Sequence, residues 1–266
     1  MKKILLVSFF VILSLLGLYY AKISLTLVCI GIIAAFIGTL AGGGGLITLP
    51  AMMLVGIPIQ TSIATNKFST GISALSSIFY LLYHKELHLK AILNYIAIAG
   101  IGGVGGALLA VSLSEQTMNF TACILLIFAL VVTLKNKAWT DTVNHTEHTM
   151  SSLWQPFFIA MYDGGFGPGS STFSILYYLR CQHTYIKAVQ LTRALLFGSC
   201  TGAFIVFYQT GFIQWHYAIA MALGSIIGSQ LGLLVLPRIP IKVAKLLLPV
   251  IISLLIIQML WKMKII

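Results

Sequence analysis

Apolar residues gather into long runs separated by short polar breaks. The runs fall at about 4–21, 23–56, 60–83, 91–111, 117–134, 153–180, 187–209, 214–236 and 241–262. Most reach the roughly 20 residues that one helix needs to cross a bilayer. Run 23–56 is too long for one span. It belongs to a stretch of 44 uncharged residues between Lys22 and Lys67. Gly42, Gly43, Gly44, Gly45 and Pro50 interrupt that stretch, and these are the residues least able to continue a helix. A broken segment at membrane depth is tolerated where its freed backbone groups face protein or a polar cavity. Such segments build substrate sites in transporters. The alternative is an ordinary helical hairpin with a glycine turn, and the segment alone leaves both open.

The pattern repeats. Gly43-Gly44-Gly45 matches Gly167-Pro168-Gly169 at an offset of 124, and Lys67 matches Arg193 at 126. Gly102 and Gly106 match Gly228 and Gly232, also at 126. A two-residue insertion reconciles the offsets. Each half holds a returning segment plus three spans, and an odd number inverts the second half relative to the first. The predicted fold is therefore all-α and polytopic. An extra helix covers 1–22, the first repeat 23–134, a polar cytoplasmic loop 135–152 and the second repeat 153–266. Run 4–21 resembles a signal peptide but has no small-x-small cleavage site before Lys22, so it reads as a retained helix. The small residues four apart in Gly102-x-x-x-Gly106 and Gly224-x-x-x-Gly228-x-x-x-Gly232 predict that these two spans cross closely.

Charge supports the division. Lys85 and Lys90, Lys135 and Lys137, Arg180 and Lys187, and Arg238 and Lys242 alternate with nearly uncharged turns near Ser112–Gln116 and Gly211. With Lys2 and Lys3 in the cytoplasm this follows the positive-inside rule. Lys22, Lys262 and Lys264 do not fit. The net charge of +11 would point to nucleic acid in a soluble chain. Here 59% hydrophobic residues, 8% charged residues and a mean hydropathy of +1.02 place the chain in the bilayer, and the basic residues read as orientation signals. Cys29, Cys123, Cys181 and Cys200 show no CxxC pairing and read as buried thiols.

Lys67 and Arg193 lie roughly 10–13 Å past the starts of their predicted helices. An intramembrane cation costs about 2.5–3.5 kcal/mol on insertion scales, so two at matched positions beside the breaks suit an anionic substrate. Half-helix N-termini at Gly45-Leu46 and Gly169-Ser170 would add N–H donors and positive dipole ends. Thr48, Ser170, Ser171 and Thr172 add hydroxyls. Asp163 could shuttle a proton, pair with Arg193 or cap the second break, and pairing or capping is the plainer reading. No Gly-Lys-Ser/Thr follows Gly42–Gly45, so a nucleotide loop does not fit. No acid/base or nucleophile constellation sits inside the membrane, and the histidines lie near run ends or in the polar loop.

These residues carry a resemblance. The stretches Ile37–Pro50, Ala64–Lys67, Tyr162–Ser170 and Ala188–Arg193 resemble those of the TauE/SafE family of membrane permeases, from about residue 23 to the end. The resemblance implies a bacterial inner-membrane permease of anions, with members associated with sulfite, sulfonates and sulfoacetate. The chain looks closest to a widespread bacterial branch of that family; Thr39 stands where the branch often has an acid, and Arg193 where lysine is common. The expected function is secondary transport of a small, sulfur-containing anion; an anion channel or a non-transporting scaffold are the alternatives. The expected binding residues are Gly43, Gly44, Gly45, Thr48, Asn66, Lys67, Gly167, Gly169, Ser170, Ser171, Thr172, Gln190 and Arg193. Asp163 has a coupling or structural role. No enzyme activity, metal, cofactor or nucleic-acid partner is expected. The lipid bilayer and a small anion are the expected partners, with proton or ion coupling and homo-oligomerisation left open.

Overall fold

In the computed structural model, the residues described are 25–114 and 154–238, together with 116, 117, 120, 121, 124 and 253. Run 4–21, the polar loop 135–152 and most of 241–262 lie outside them. Within 25–114 and 154–238 the chain forms eight helices. They are α1 (Leu25–Ala41), α2 (Gly44–Leu54), α3 (Ile59–Tyr83), α4 (Leu89–Val111), α5 (Trp154–Gly165), α6 (Ser170–Arg180), α7 (Tyr185–Gln209) and α8 (Trp215–Val235).

Both long apolar segments break where glycines cluster. α1 stops at Ala41 and α2 begins at Gly44, while α5 stops at Gly165 and α6 begins at Ser170. The residues that start the second helices, Gly43 and Gly169, have φ of 83° and 81°. A side chain there would be strained in this left-handed conformation, which is why the glycines decide the break. Pro168 lies in its break. Pro50 lies inside α2, and the helix continues through it. The expectation that Pro50 helps break the first segment is therefore corrected.

The halves correspond element by element. α2 and α6 begin at 44 and 170, α3 and α7 at 59 and 185, and α4 and α8 at 89 and 215, each pair 126 residues apart. α1 and α5 end at 41 and 165, 124 apart, while their contacts within the helices are 125 apart, so the two extra residues enter across the second broken segment. Gly43 thus corresponds to Gly169, not to Gly167 as the sequence alignment had it. Contacts set the directions. Phe68 stacks near Phe204, with centroids 5.3 Å apart, and Gly71 faces Cys200. Rising numbers in α3 meet falling numbers in α7, so the two are antiparallel. Gly224 faces Val28 and Gly232 faces Phe36, which makes α8 parallel to α1. Gly102 faces Phe157 and Gly106 faces Met161, which makes α4 parallel to α5. The pairs Ile96–Gly198 and Gly100–Gly202 make α4 parallel to α7. Phe68–Trp215 and Ser76–Gln230 make α3 parallel to α8. Hence α1, α3 and α8 run one way, and α4, α5 and α7 the other.

The glycine stripes pack as expected but against other partners. α4 lies on α5 and α7, and α8 on α1 and α3. α4 and α8 do not form a crossing with each other, which corrects the predicted pairing. Each stripe brings one half onto the other half's broken segment. A methyl group on Gly106 would overlap the Met161 carbonyl, and one on Gly228 the Ile32 carbonyl.

Among the described residues, three helical stretches are long and apolar enough to cross a membrane by length and composition: Ile92–Val111, Tyr185–Gln209 and Trp215–Arg238. α3 has 25 residues but carries a buried polar face that includes Thr61, Thr65, Asn66, Lys67, Ser69, Ser73 and Ser77. Large apolar side chains such as Ile33, Phe79, Ile101, Leu108 and Phe158 point outward. This polar inside and apolar outside is the arrangement that a lipid surrounding requires. Cys29 is exposed on the outer face, against the expectation of a buried thiol, while Cys200 is buried.

Candidate functional site

The two breaks meet. The Gly43 N–H donates to Ser171 Oγ at 2.7 Å. Gly42 lies against Thr172, and Gly45 against the Gly167 carbonyl. Neither Gly43 nor Gly169 provides a side-chain cap to the helix it starts. The opening N–H groups of α2 and α6 therefore lack side-chain caps. Beside them, Thr48 Oγ1 donates to Asn66 Oδ1 at 2.7 Å, and Thr70 Oγ1 to the same oxygen at 3.3 Å.

The cations are held differently. Lys67, fully buried in α3, lies 3.2 Å from Asp163 Oδ1 and also donates to the Asp163 carbonyl. The carboxylate collects further donors: Ser170 Oγ to Oδ1 at 2.5 Å, and Ser199 Oγ and Cys200 Sγ to Oδ2. These contacts fix both carboxylate oxygens in place. The partner of Asp163 is thus Lys67 and not Arg193, correcting the expected pairing. The geometric reason is that each cation reaches across to the opposite half. Arg193, in α7, donates from Nη2 to the Gly38 carbonyl of α1 at 2.8 Å. Its buried Nε has no partner among the described residues. Thr39 turns its hydroxyl to the Ala35 carbonyl at 2.7 Å, and among the described residues no carboxylate forms an ion pair with Arg193.

A cavity opens where the breaks, α3 and α7 converge. Its volume of about 40 Å³, against the roughly 10–15 Å³ that one water needs, admits a few water-sized groups. Of the residues named from sequence, Gly44, Gly45, Thr48, Asn66, Asp163, Gly167, Ser170, Ser171 and Arg193 line it. Gly43, Lys67, Gly169 and Thr172 lie behind this lining. Gln190 is elsewhere: its Nε2 donates to Glu86 Oε2 at 2.5 Å, beside a Lys187 Nζ bond to the Glu86 carbonyl at 2.8 Å. That cluster clasps the start of α7 to the turn after α3.

Sequence reasoning missed Ala34, Ala35, Gly38, Thr70, Ser73, Leu196 and Ser225, which complete the lining. Thr70 and Ser73 had a usable signal, since they follow Asn66 by four and seven residues on one helix face. Gly38 and the alanines had none, because a small residue on a helix reads first as packing. Among the described residues, no group of three or more His, Cys, Asp or Glu side chains could hold a metal.

Comparison with known proteins agrees with this architecture. Residues 27–259 match the family model described as sulfite exporter TauE/SafE. The chain is 35% identical over 203 residues to the probable membrane transporter protein ORF9 of Sinorhizobium sp., covering 75% of this chain and 78% of that one. It is 31% identical over 212 residues to a probable membrane transporter protein of Haemophilus influenzae, covering 77% and 82%. It is 29% identical over 209 residues to the probable membrane transporter protein YfcA of Escherichia coli, covering 76% and 77%. No solved structure matches the chain. Broken helices meeting at a buried cation, an apolar exterior and a match along most of the sequence lead to one conclusion: the chain belongs to the TauE/SafE sulfite exporter family and is a membrane transporter.

Proposed function

We propose that this protein is a secondary transporter of a small sulfur oxyanion, such as sulfite or an organosulfonate, across a bacterial plasma membrane. The anion binds at Arg193, where the two breaks meet, and two inverted repeats rock around that point to expose it to either side. The observation that carries this reading is Arg193 itself. It is a buried guanidinium with an unpartnered Nε, facing a cavity beside two helix N-termini that lack side-chain caps. Guanidinium groups and such N-termini both favour anions.

Lys67 has a different part. Its charge is answered by Asp163, so the pair anchors α3 to α5 and leaves the cavity one net positive charge, from Arg193. Asp163 serves as a fixed anchor, tied on both oxygens by Lys67, Ser170 and Ser199. The driving force is the gradient of the anion itself or of a coupled ion.

Uptake into proteoliposomes tests the proposal. Sulfite, thiosulfate, methanesulfonate, sulfate and chloride are offered to the purified protein. The expected result is saturable uptake of at least one sulfur oxyanion that accelerates with the same anion inside. Large unsaturated conductance would identify a channel instead, and no flux of any of these anions would remove the transport reading.

A further inference from the structure

The two halves place Lys67 and Arg193 at the same point, each the ninth residue of its helix. Each donates to a backbone carbonyl of the opposite half: Lys67 to Asp163, Arg193 to Gly38. Asp163 and Gly38 are therefore counterparts. Packing agrees, because Gly102 sits on the Phe157 carbonyl and its counterpart Gly228 on the Ile32 carbonyl. Asp163 and Gly38 each follow those residues by six. One half thus carries a carboxylate where the other carries no side chain.

The surroundings of that carboxylate correspond too. Asp163 is bound by Lys67, Ser170 and Ser199. Their counterparts 126 residues away are Arg193, Gly44 and Ser73, and all three line the cavity together with Gly38. Ser199 Oγ also rests on the Leu196 carbonyl at 3.3 Å, and Ser73 Oγ rests on the Thr70 carbonyl at 3.2 Å. Leu196 and Thr70 are again 126 apart, so the two serines hold the same posture. Gly44 has no hydroxyl to match Ser170, but it opens α2, whose first N–H groups lack a side-chain cap.

We infer that the cargo's anionic head group takes, at Arg193, the place that the Asp163 carboxylate takes at Lys67, and that Ser73 is a ligand that sets specificity. The inference rests on the anion-transport reading above and narrows it. The resident occupant of the first place is a carboxylate, with one oxygen facing Lys67 and Ser170 and the other facing Ser199 and Cys200. The cargo is therefore an oxyanion with at least two terminal oxygens, one for Arg193 and one for Ser73. A halide offers the two donors one centre in place of two separate oxygens and is expected to bind more weakly.

Equilibrium binding of radiolabelled sulfite to the purified full-length protein tests this, with thermal unfolding measured in parallel. Ser73→Ala is expected to weaken sulfite binding about tenfold, the loss of one hydrogen bond to a charged group, at an unchanged melting temperature. Ser199→Ala is expected to do the reverse, lowering the melting temperature while keeping the dissociation constant within about twofold. On the unsubstituted protein, methanesulfonate competes with sulfite and chloride at equal concentration does not. Wild-type affinity in Ser73→Ala, equal losses of affinity in both serine variants, or competition by chloride would overturn the inference. If the unsubstituted protein binds neither sulfite nor methanesulfonate, the anion-transport reading fails and takes the inference with it.

Discussion

Lys67 is held by a carboxylate and Arg193 by a carbonyl, and this difference sets what each substitution does. Lys67→Gln leaves Asp163 buried without its counter-charge. Breaking a buried pair from one side costs about 3–5 kcal/mol. The expected outcome is a marked drop in thermal stability in detergent, largely restored by adding Asp163→Asn. A double-mutant cycle checks this: additive losses would mean that the pair is not coupled. Arg193→Gln removes a cation that no carboxylate answers among the described residues, so it is expected to fold at wild-type yield yet fail to transport. The sequence made both cations and Asp163 legible as charges inside apolar runs. It did not reveal the pairing. Asp163 and Arg193 belong to one half and read as neighbours along the chain, whereas the fold sends each cation across to the other half. Gln190 misled for a related reason: it stands three residues from Arg193 on the same helix but faces the turn that carries Glu86.

Among the elements, α4 shows how glycines decide the packing. A side chain on Gly103 would overlap the Ser199 backbone, while one on Gly105 would meet nothing within 4 Å. Gly103→Val is therefore expected to cost at least the 1–3 kcal/mol typical of overpacking and to lower the folded yield on size exclusion. Gly105→Ala should stay within about 0.5 kcal/mol of wild type. Equal behaviour of the two variants would contradict the close approach of α4 to α7. Small residues four apart announced that a close crossing existed, but not with which helix, because a flat stripe fits any backbone. The breaks were legible to within a few residues from glycine alone. Pro50 was not, since a proline inside a helix and one ending it look alike in sequence.

Across the whole molecule, the Glu86 clasp places the turns at 84–88 and 181–187 on one face. Phe212 and Ile213 pack with Leu113 and Met53 toward the other. With the basic loops inside, Cys181, in a background whose other cysteines are removed, should react with an impermeant maleimide only from the cytoplasmic side. A cysteine at Thr210 should react only from outside. Labelling of both from one side would end the inverted arrangement in the membrane. The opposed directions of α1 and α5, α3 and α7, and α4 and α8 agree with the odd number of spans counted in the sequence, while the third span of each half, 117–134 and 241–262, lies mostly outside the described residues. The location of the two-residue insertion was not legible, because a glycine-rich break aligns equally well in several registers. The central claim is that Arg193 binds the transported anion. Exchange of labelled sulfite in proteoliposomes, by wild type and by Arg193→Gln reconstituted at equal folded density, tests it most directly. Saturable exchange by the wild type, reduced about a hundredfold or more in the variant, is the outcome the structure predicts. Exchange by Arg193→Gln at the wild-type rate would contradict it.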